Sequence, residues 1–403
     1  MKKGLSKIVI CLTLVLFVIA LMLAFACGEP TPEKELEIGA IVGLTGEGSE
    51  QIHITGDGMA AAADWINDNG GLTINGEKYL IKLIIEDNKM TVDGSATAAT
   101  KLVYEDELSF IIGPPVPPFC AAVLEVTEPA KVLTMNLDGS ATPMELNPDT
   151  PYCFHTVMIR EENSRIGFRE FLELYPEVET IAYIIPDDPS QYTALEVTEA
   201  VAAEFGLTSV ATEAYPYGAT DFYPALTGIL AAEPDVIVQT SGMPSWQGSI
   251  LKQSRELGFT GPMLCLSHPG ADVYVVRDIA GQYGTDYVVL SYALDSPEMT
   301  PMMKELRETW PEKYGVEMTL DHLLGWECLW TVTQAIEEAQ SLDPTVVRDT
   351  LEQMDNIETP FGTGKMSGLE TFGLSHVLIR PIAISILMDG VVEHVKWVMP
   401  ERA

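Results

Sequence analysis

The residue types that most often carry out catalysis are scattered through this chain without the spacing that catalysis needs. Its six histidines form no HExxH pair, and the sequence contains neither a GxSxG nucleophile turn nor a GxxxxGK[ST] phosphate loop. Gly43, Gly46 and Gly48 follow an apolar run, but their spacing differs from GxGxxG. The sequence therefore predicts neither a catalytic centre nor a nucleotide cofactor.

The cysteines give no sign of a metal site. Cys120, Cys153, Cys265 and Cys328 lack CxxC spacing, so neither a zinc cluster nor a dense disulfide framework is indicated. We expect buried free thiols, with a disulfide between Cys120 and Cys153 as the open alternative. We expect no metal and no cofactor.

The elements that would position a binding site alternate between strands and helices. Between residues 36 and 113 the order is strand, Gly-rich loop, helix, strand, helix and strand. Each strand is a short run rich in Val and Ile, as in parallel strands that helices cover on both faces. A second set of strands is expected at residues 180–186, 208–215, 236–240 and 262–266. The sequence predicts an α/β protein with two doubly wound parallel sheets.

The last part of the chain departs from this alternation. Three helical stretches are expected at residues 297–314, 321–340 and 344–354, and a β-rich end follows. Asp389-Gly390 between two apolar runs predicts a hairpin.

Ligands of such sheets bind outside the carboxyl ends of the strands, where a doubly wound sheet changes direction. The loops expected there are residues 47–55, 114–119, 136–142, 186–192, 240–246 and 267–271. Each of these loops could equally be a plain solvated connection.

Several segments resemble one family in their amino-acid sequences and in their order along the chain. They are the turn at Thr45-Gly46, the helix closing on WINDNGG at residues 65–71, the strand ending in Glu86-Asp87, and IIGP at residues 111–114. They resemble the substrate-binding proteins of ABC importers, specifically the branched-chain amino-acid type with the type I periplasmic binding fold. The resemblance runs from about residue 36 to residue 400.

This resemblance implies two lobes joined by three crossover strands. The crossings would fall near Thr156, Leu290 and Gly362. Lobe 1 would then contain residues 36–156 and 291–362, and lobe 2 residues 157–290 and 363–403.

The resemblance also implies ligand contacts. Gln51 and His53 stand where relatives have an aromatic lid, Ser140 and Thr142 where relatives have hydroxyl donors, and Trp326 where relatives often have a pocket tyrosine. Tyr192 matches the tyrosine that opens a lobe-2 helix and faces the ligand in relatives, with an ordinary exposed tyrosine as the alternative. Met243 and Trp246 are candidates because they follow the strand that ends at Thr240. A core role for Trp326 and a turn-forming role for Ser140 and Thr142 are the alternatives.

The chain differs from the family in the residues that would bind the carboxylate and the ammonium group of an amino-acid ligand. The loop that usually holds the ligand carboxylate reads Pro114-Pro115-Val116-Pro117-Pro118-Phe119, in which only Val116 and Phe119 have a backbone N–H to donate. His268 stands where relatives have the acid that pairs with the α-ammonium group. We therefore expect a ligand without a full α-amino-acid head group.

The N-terminal segment is an export signal. Lys2, Lys3 and Lys7 precede an apolar run over residues 8–26, and Ala26-Cys27-Gly28 resembles a bacterial lipobox in which Cys27 is lipidated. Leu23 stands one place earlier than the usual lipobox leucine. A retained helical anchor and plain secretion are the alternatives. Residues 28–35 suit a solvated tether.

The net charge of −36 argues against nucleic acid as a partner, because binding nucleic acid needs basic patches. We expect an exported protein, periplasmic or on the outer face of the cytoplasmic membrane, that captures a small organic molecule and delivers it to an ABC permease. A ligand-sensing subunit of a membrane receptor is the alternative, and an extracytoplasmic hydrolase is a minor one.

Overall fold

The computed structural model describes residues 34–46, 48–137, 146–157, 159–267, 273–291, 294, 296 and 298–400. Within these residues the chain forms a nine-stranded and a seven-stranded sheet. In chain order the strands are β1 (Lys34–Val42), β2 (Leu72–Ile74), β3 (Glu77–Asp87), β4 (Phe110–Ile112), β5 (Leu133–Asn136), β6 (Cys153–His155), β7 (Thr180–Pro186), β8 (Thr208–Tyr215), β9 (Val236–Gln239), β10 (Met263–Cys265), β11 (Tyr287–Ser291), β12 (Ile357–Thr359), β13 (Gly362–Ser367), β14 (Val377–Ile379), β15 (Ile382–Met388) and β16 (Val391–Val398).

Helices separate most of these strands. In chain order they are α1 (Ser49–Asp68), α2 (Val92–Tyr104), α3 (Pro117–Ala130), α4 (Arg160–Leu174), α5 (Pro189–Glu204), α6 (Tyr223–Leu230), α7 (Pro244–Glu256), α8 (Val273–Ala280), α9 (Pro301–Tyr314), α10 (Leu320–Ala339), α11 (Pro344–Leu351) and α12 (Leu369–Phe372). Among the helices described, none is both long enough and apolar enough to cross a bilayer.

Helices cover both faces of the first sheet, as the sequence predicts. Ile38, Ala40 and Val42 of β1 pack in one core cluster with residues of α1, α9, α10 and α11. Ile41 points to the other face and packs with residues of α2 and α3. The second sheet is also covered on two faces, by α4 and α5 on one side and by α6, α7 and α8 on the other. The predicted class, two doubly wound α/β lobes, is confirmed.

In each sheet the strand order reverses once, at β1 in the first sheet and at β7 in the second. In the first sheet β1 lies between β3 and β4, and in the second β7 lies between β8 and β9, all in parallel pairs. These are the switch points at which doubly wound sheets bind ligands. They lie beside the loops after β1 and β4 in lobe 1, and after β7 and β9 in lobe 2.

The chain passes between the sheets at three places in the described residues. It leaves the first sheet after His155, returns after Ser291, and leaves again after Ile379. The first two passages lie beside Thr156 and Leu290. The third differs from the expected position near Gly362, because β13 and β14 still pair within the first sheet. Only Arg380 and Pro381 separate β14 from β15 of the second sheet.

The expected hairpin at Asp389-Gly390 joins β15 and β16, which pair antiparallel. Both turn residues have positive φ, 49° for Asp389 and 77° for Gly390, which matches the twist of a tight hairpin. The cysteines at 120, 153, 265 and 328 are buried, and Cys120 and Cys153 form no disulfide in this structure.

Two glycines let α1 and α10 approach each other closely in lobe 1. A Cβ atom at Gly58 would lie 1.9 Å from the carbonyl oxygen of His322, and one at Gly325 would lie 1.9 Å from that of Thr55. Backbone atoms cannot swing aside as side chains can. The contact between these helices therefore requires glycine at both positions, and it supports the core below the first sheet.

We predict that Gly325→Ala lowers the free energy of unfolding by about 2–3 kcal/mol, because the added methyl group forces the helices apart. Gly228→Ala in α6 is the matched control, since its Cβ would meet only the movable carboxylate of Glu213. The control should change stability by less than about 1 kcal/mol. Chemical denaturation measures both variants, and equal effects would contradict the packing argument.

Candidate ligand-binding site

The carboxyl ends of the strands of the two sheets meet at the passages between the lobes. β6 and β14 run parallel to each other, and each ends where the chain leaves the first sheet. In the second sheet Ser291, at the end of β11, pairs with Ala383 beside the start of β15. Because the connections join these edges, the loops after the strands of one lobe face those of the other across a cleft.

On the lobe-1 edge, Asp87 at the end of β3 holds the loop that follows β1. Its carboxylate accepts hydrogen bonds from the backbone N–H groups of Leu44 at 3.0 Å and of Lys89 at 2.8 Å. It also accepts from the N–H and hydroxyl of Thr45. Burial raises the pKa of Asp87, but these hydrogen bonds, led by the Thr45 hydroxyl, outweigh burial and leave the pKa below its usual value.

The loop between β4 and α3 is poor in hydrogen-bond donors. Pro117 and Pro118 occupy the first two positions of α3, and the N–H of Phe119 donates to the carbonyl oxygen of Val116 at 2.9 Å. Among the described residues, the N–H of Val116 forms no backbone hydrogen bond. The proline-rich loop thus offers at most one backbone donor to a ligand, one fewer than the sequence indicated.

On the lobe-2 edge, Trp246 stands in a cluster of aromatic rings. It lies edge-on to Tyr215, with ring centroids 5.8 Å apart, and edge-on to Tyr217, with centroids 5.4 Å apart. Tyr215 ends β8, and Gly242 lies so close to it that a Cβ there would be 2.7 Å from the Tyr215 hydroxyl. Sequence reasoning selected Trp246 and missed Tyr217, whose ring remains 59 % exposed.

Tyr192 and Met243 lie on the same edge and are exposed. The Tyr192 hydroxyl donates to the carboxylate of Asp187 at 3.1 Å, and this hydrogen bond raises the pKa of Tyr192. The N–H of Asp187 in turn bonds to the carbonyl oxygen of Tyr215 at 2.7 Å. Tyr192, Trp246 and Met243 therefore line neighbouring loops after β7 and β9.

Arg160 is the first residue of α4 and lies at the same edge. It was not among the site residues predicted from the sequence. Its guanidinium donates from Nη1 to the carbonyl oxygen of Thr240, directly after β9, at 2.7 Å. A single arginine at the start of a helix has no spacing signature that could have identified it.

Other expected site residues have different surroundings. Trp326 is fully buried in the lobe-1 core, where it packs against Trp65 and Trp330. The His53 ring donates from Nδ1 to the carbonyl oxygen of Ser49, so it lies along its own helix. Val116 and Phe119 are part-buried at the start of α3. Four further candidates, Cys27, Ser140, Thr142 and His268, lie outside the described residues, as does the side chain of Gln51.

Within the described ranges, His, Cys, Asp and Glu side chains do not gather in a group that could hold a metal ion. The cleft offers aromatic rings and a cation from lobe 2, and at most one backbone donor from the loop after β4. These groups suit recognition of a small organic molecule.

We predict that Asp87→Asn lowers the free energy of unfolding by about 1–2 kcal/mol at neutral pH, because the part-exposed carboxylate loses charge-assisted hydrogen bonds. A lowered pKa stabilises the folded state above the usual pKa of Asp, and this contribution is lost as pH falls through the folded-state pKa. Denaturation at several pH values should therefore give a difference between wild type and variant that shrinks in acid.

Asp235→Asn is the matched comparison, since Asp235 accepts from the N–H groups of Glu179 and Thr180 at the far edge of the second sheet. Asp235→Asn should lower the free energy of unfolding by a similar amount and leave the affinity for the ligand unchanged. Asp87→Asn should lower both the free energy of unfolding and the affinity for the ligand. A difference that persists unchanged in acid would contradict the account of Asp87.

Comparison with known proteins shows the family to which this fold belongs. Residues 35–384 match the family model described as periplasmic binding protein. The chain is 22 % identical over 350 residues to Leu/Ile/Val-binding protein homolog 7 of Brucella suis, covering 82 % of this chain and 84 % of that protein.

Solved structures share the fold. The branched-chain amino acid transporter substrate-binding protein of Streptococcus pneumoniae, in complex with isoleucine, has a TM-score of 0.73 at 20 % identity, covering 91 % of this chain and all (100 %) of that one. A solute-binding protein of an ABC transporter from Rhodopseudomonas palustris, in complex with 3,4-dihydroxybenzoic acid, has a TM-score of 0.72 at 19 % identity, covering 91 % and 98 %. The family match spans most of the sequence, so this chain belongs to the periplasmic binding protein family and is a binding protein, not an enzyme.

Proposed function

We propose that this protein is exported, captures a small organic molecule between its two lobes and delivers it to an ABC permease. The observation that carries this proposal is the connection between the lobes. All three passages in the described chain lie at the carboxyl ends of strands, and the third is only two residues long, Arg380 and Pro381. Short connections at one edge let the lobes rotate about that edge and close on a ligand.

In this proposal the permease recognises the closed form of the protein and not the open form. A ligand favours the closed form only through contacts that the open form lacks, so groups from both lobes must touch it. We propose that each domain consists of the strands and helices around one sheet. Lobe 1 then contains residues 34–155 and 301–379, and lobe 2 contains residues 160–291 and 382–398. The proline-rich loop after β4 and the aromatic cluster around Trp246 then form opposite walls.

The walls favour a ligand other than a branched-chain amino acid. The loop after β4 has few N–H groups for an amino-acid carboxylate, and the residue at the position of the usual ammonium-binding acid is His268. Among relatives with the same fold, one was solved with isoleucine and another with 3,4-dihydroxybenzoic acid. Proteins of this fold thus hold ligands with and without an amino group, and we propose the second kind here.

A ligand-sensing subunit of a membrane receptor is the second candidate, since closure of the same lobes would serve it equally. Reconstitution with a candidate permease distinguishes the two functions, because only a transport protein would raise ligand uptake into vesicles.

We further propose that Cys27 anchors the protein to the membrane through a lipid. The support is the sequence alone, an apolar run that ends in Ala26-Cys27-Gly28. The Pro- and Glu-rich segment of residues 28–35 would then hold the lobes away from the bilayer surface.

We predict that leucine binds about a hundredfold more weakly than the best ligand without an amino group, because a buried ammonium without a partner costs several kcal/mol. Isothermal titration calorimetry measures both affinities. Sub-micromolar binding of leucine that Asp187→Asn abolishes would restore the amino-acid ligand and contradict this prediction.

We predict that Cys27→Ser abolishes acylation and releases the exported protein from the membrane fraction. Mass spectrometry of the mature N-terminus and fractionation of cells measure the two effects. Cys11→Ser is the control, because it lies within the apolar run and should leave acylation intact. An intact, unmodified Met1 terminus in the exported wild type would refute the anchor.

A further inference from the structure

Arg160 is the cation of the lobe-2 edge that faces the cleft. Because α4 runs back toward the start of β7, its first residue lies at the carboxyl ends of the lobe-2 strands. The Nη1 group of Arg160 donates to the carbonyl oxygen of Thr240 after β9 at 2.7 Å and reaches that of Leu266 after β10 at 3.5 Å. Backbone carbonyls thus fix one corner of the guanidinium.

The charge of Arg160 has no acidic partner among the residues that the structure describes. The carboxylates next to it in sequence, Glu161 and Glu162, are both held by Arg165, at 3.0 Å and 2.8 Å. The Nε atom of Arg160 is buried and has no hydrogen-bond partner among the described residues. Burial lowers the pKa of Arg160 to about 10, and the group is still charged at neutral pH.

The edge of the guanidinium that makes no hydrogen bond to the described residues has the geometry that binds a carboxylate. Nε and Nη2 lie along one edge of the planar group, the edge that forms two parallel hydrogen bonds with a carboxylate. In the described part of the chain, Nη1 is the only nitrogen of Arg160 with a hydrogen bond. The chain has 59 acidic and only 23 basic residues, so an arginine without an acidic partner is unexpected in it. Binding of a ligand anion would explain why this cation lies at the cleft.

The surroundings of Arg160 indicate what the rest of the ligand is. The segment that begins at Thr240 continues through Gly242 to Trp246, whose ring lies beside Tyr217. The Thr240 hydroxyl is also buried, and within the described part of the chain it has no hydrogen-bond partner. A cation, an unused hydroxyl and an aromatic wall therefore lie along one short loop.

We propose that Arg160 binds the carboxylate of the ligand from lobe 2, and that the ligand is a small carboxylic acid with an aromatic or apolar body that packs against Trp246. This inference rests on the proposed solute-binding function and names its substrate class. The anion would then be held by lobe 2, opposite the proline-rich loop of lobe 1 that lacks donors for it.

Paired acids and amides test this assignment, because they differ in charge and hardly in shape. The probes are benzoate with benzamide and 3-methylbutanoate with 3-methylbutanamide, titrated by calorimetry into the full exported chain. We expect at least one acid to bind more tightly than its amide by about tenfold to a hundredfold. Arg160→Gln should remove this preference, and Arg160→Lys should restore part of it.

Arg255→Gln is the matched control in the same lobe. Arg255 also donates to backbone carbonyls, those of Phe259, Gly261 and Thr285, but it lies at the opposite edge of the second sheet. It should lower the melting temperature and keep the preference for acids. This control separates loss of the anion site from loss of folding.

Each result decides the proposal. Loss of acid preference in Arg160→Gln, with the preference kept in Arg255→Gln, supports it. Equal binding of acid and amide by the wild type, binding of no acid in the panel, or an unchanged preference in Arg160→Gln overturns it. Closure of the lobes on an uncharged ligand would overturn the role of Arg160 and leave the solute-binding function standing.

Discussion

The buried ion pair between Arg380 and Glu327 fixes the shortest passage between the two sheets. Both side chains are fully buried, and the Arg380 guanidinium also lies over the ring of Phe361, 4.7 Å from its centroid. Burial raises the pKa of Glu327, and the charge of Arg380 opposes this rise. Loss of either partner would leave a buried charge at a cost of about 3–5 kcal/mol. Since Pro381 follows directly, this pair sets where the second sheet starts relative to the first.

The two walls of the proposed cleft differ in chemistry. In this proposal the loop after β4 faces the loop after β9. Prolines leave the lobe-1 loop stiff and poor in donors, while the lobe-2 loop begins beside Arg160 and continues to the rings of Trp246 and Tyr217. A ligand that touches both walls would place its apolar body against the prolines and rings, and its charge near lobe 2.

The sequence predicted the strands well because each is a short, apolar run bounded by turn residues, as at β7 and β9. The third passage was expected near Gly362 from family resemblance alone, since composition does not mark it; in the structure Arg380 and Pro381 separate the two sheets within residues 377–388. Family resemblance placed Trp326 in the pocket, but the close approach of α1 and α10 buries its ring in the core. Arg160 was invisible because the absence of an acidic partner is a property of three-dimensional contacts.

Small-angle X-ray scattering of the exported protein, with and without the acid that binds it most tightly, tests the central claim most directly. The account predicts that the radius of gyration falls at saturation, because a ligand held between the lobes stabilises the closed form. The same concentration of that acid should leave the radius of Arg160→Gln unchanged. An unchanged radius for the wild type, with calorimetry showing full occupancy, would contradict capture by closure of the lobes.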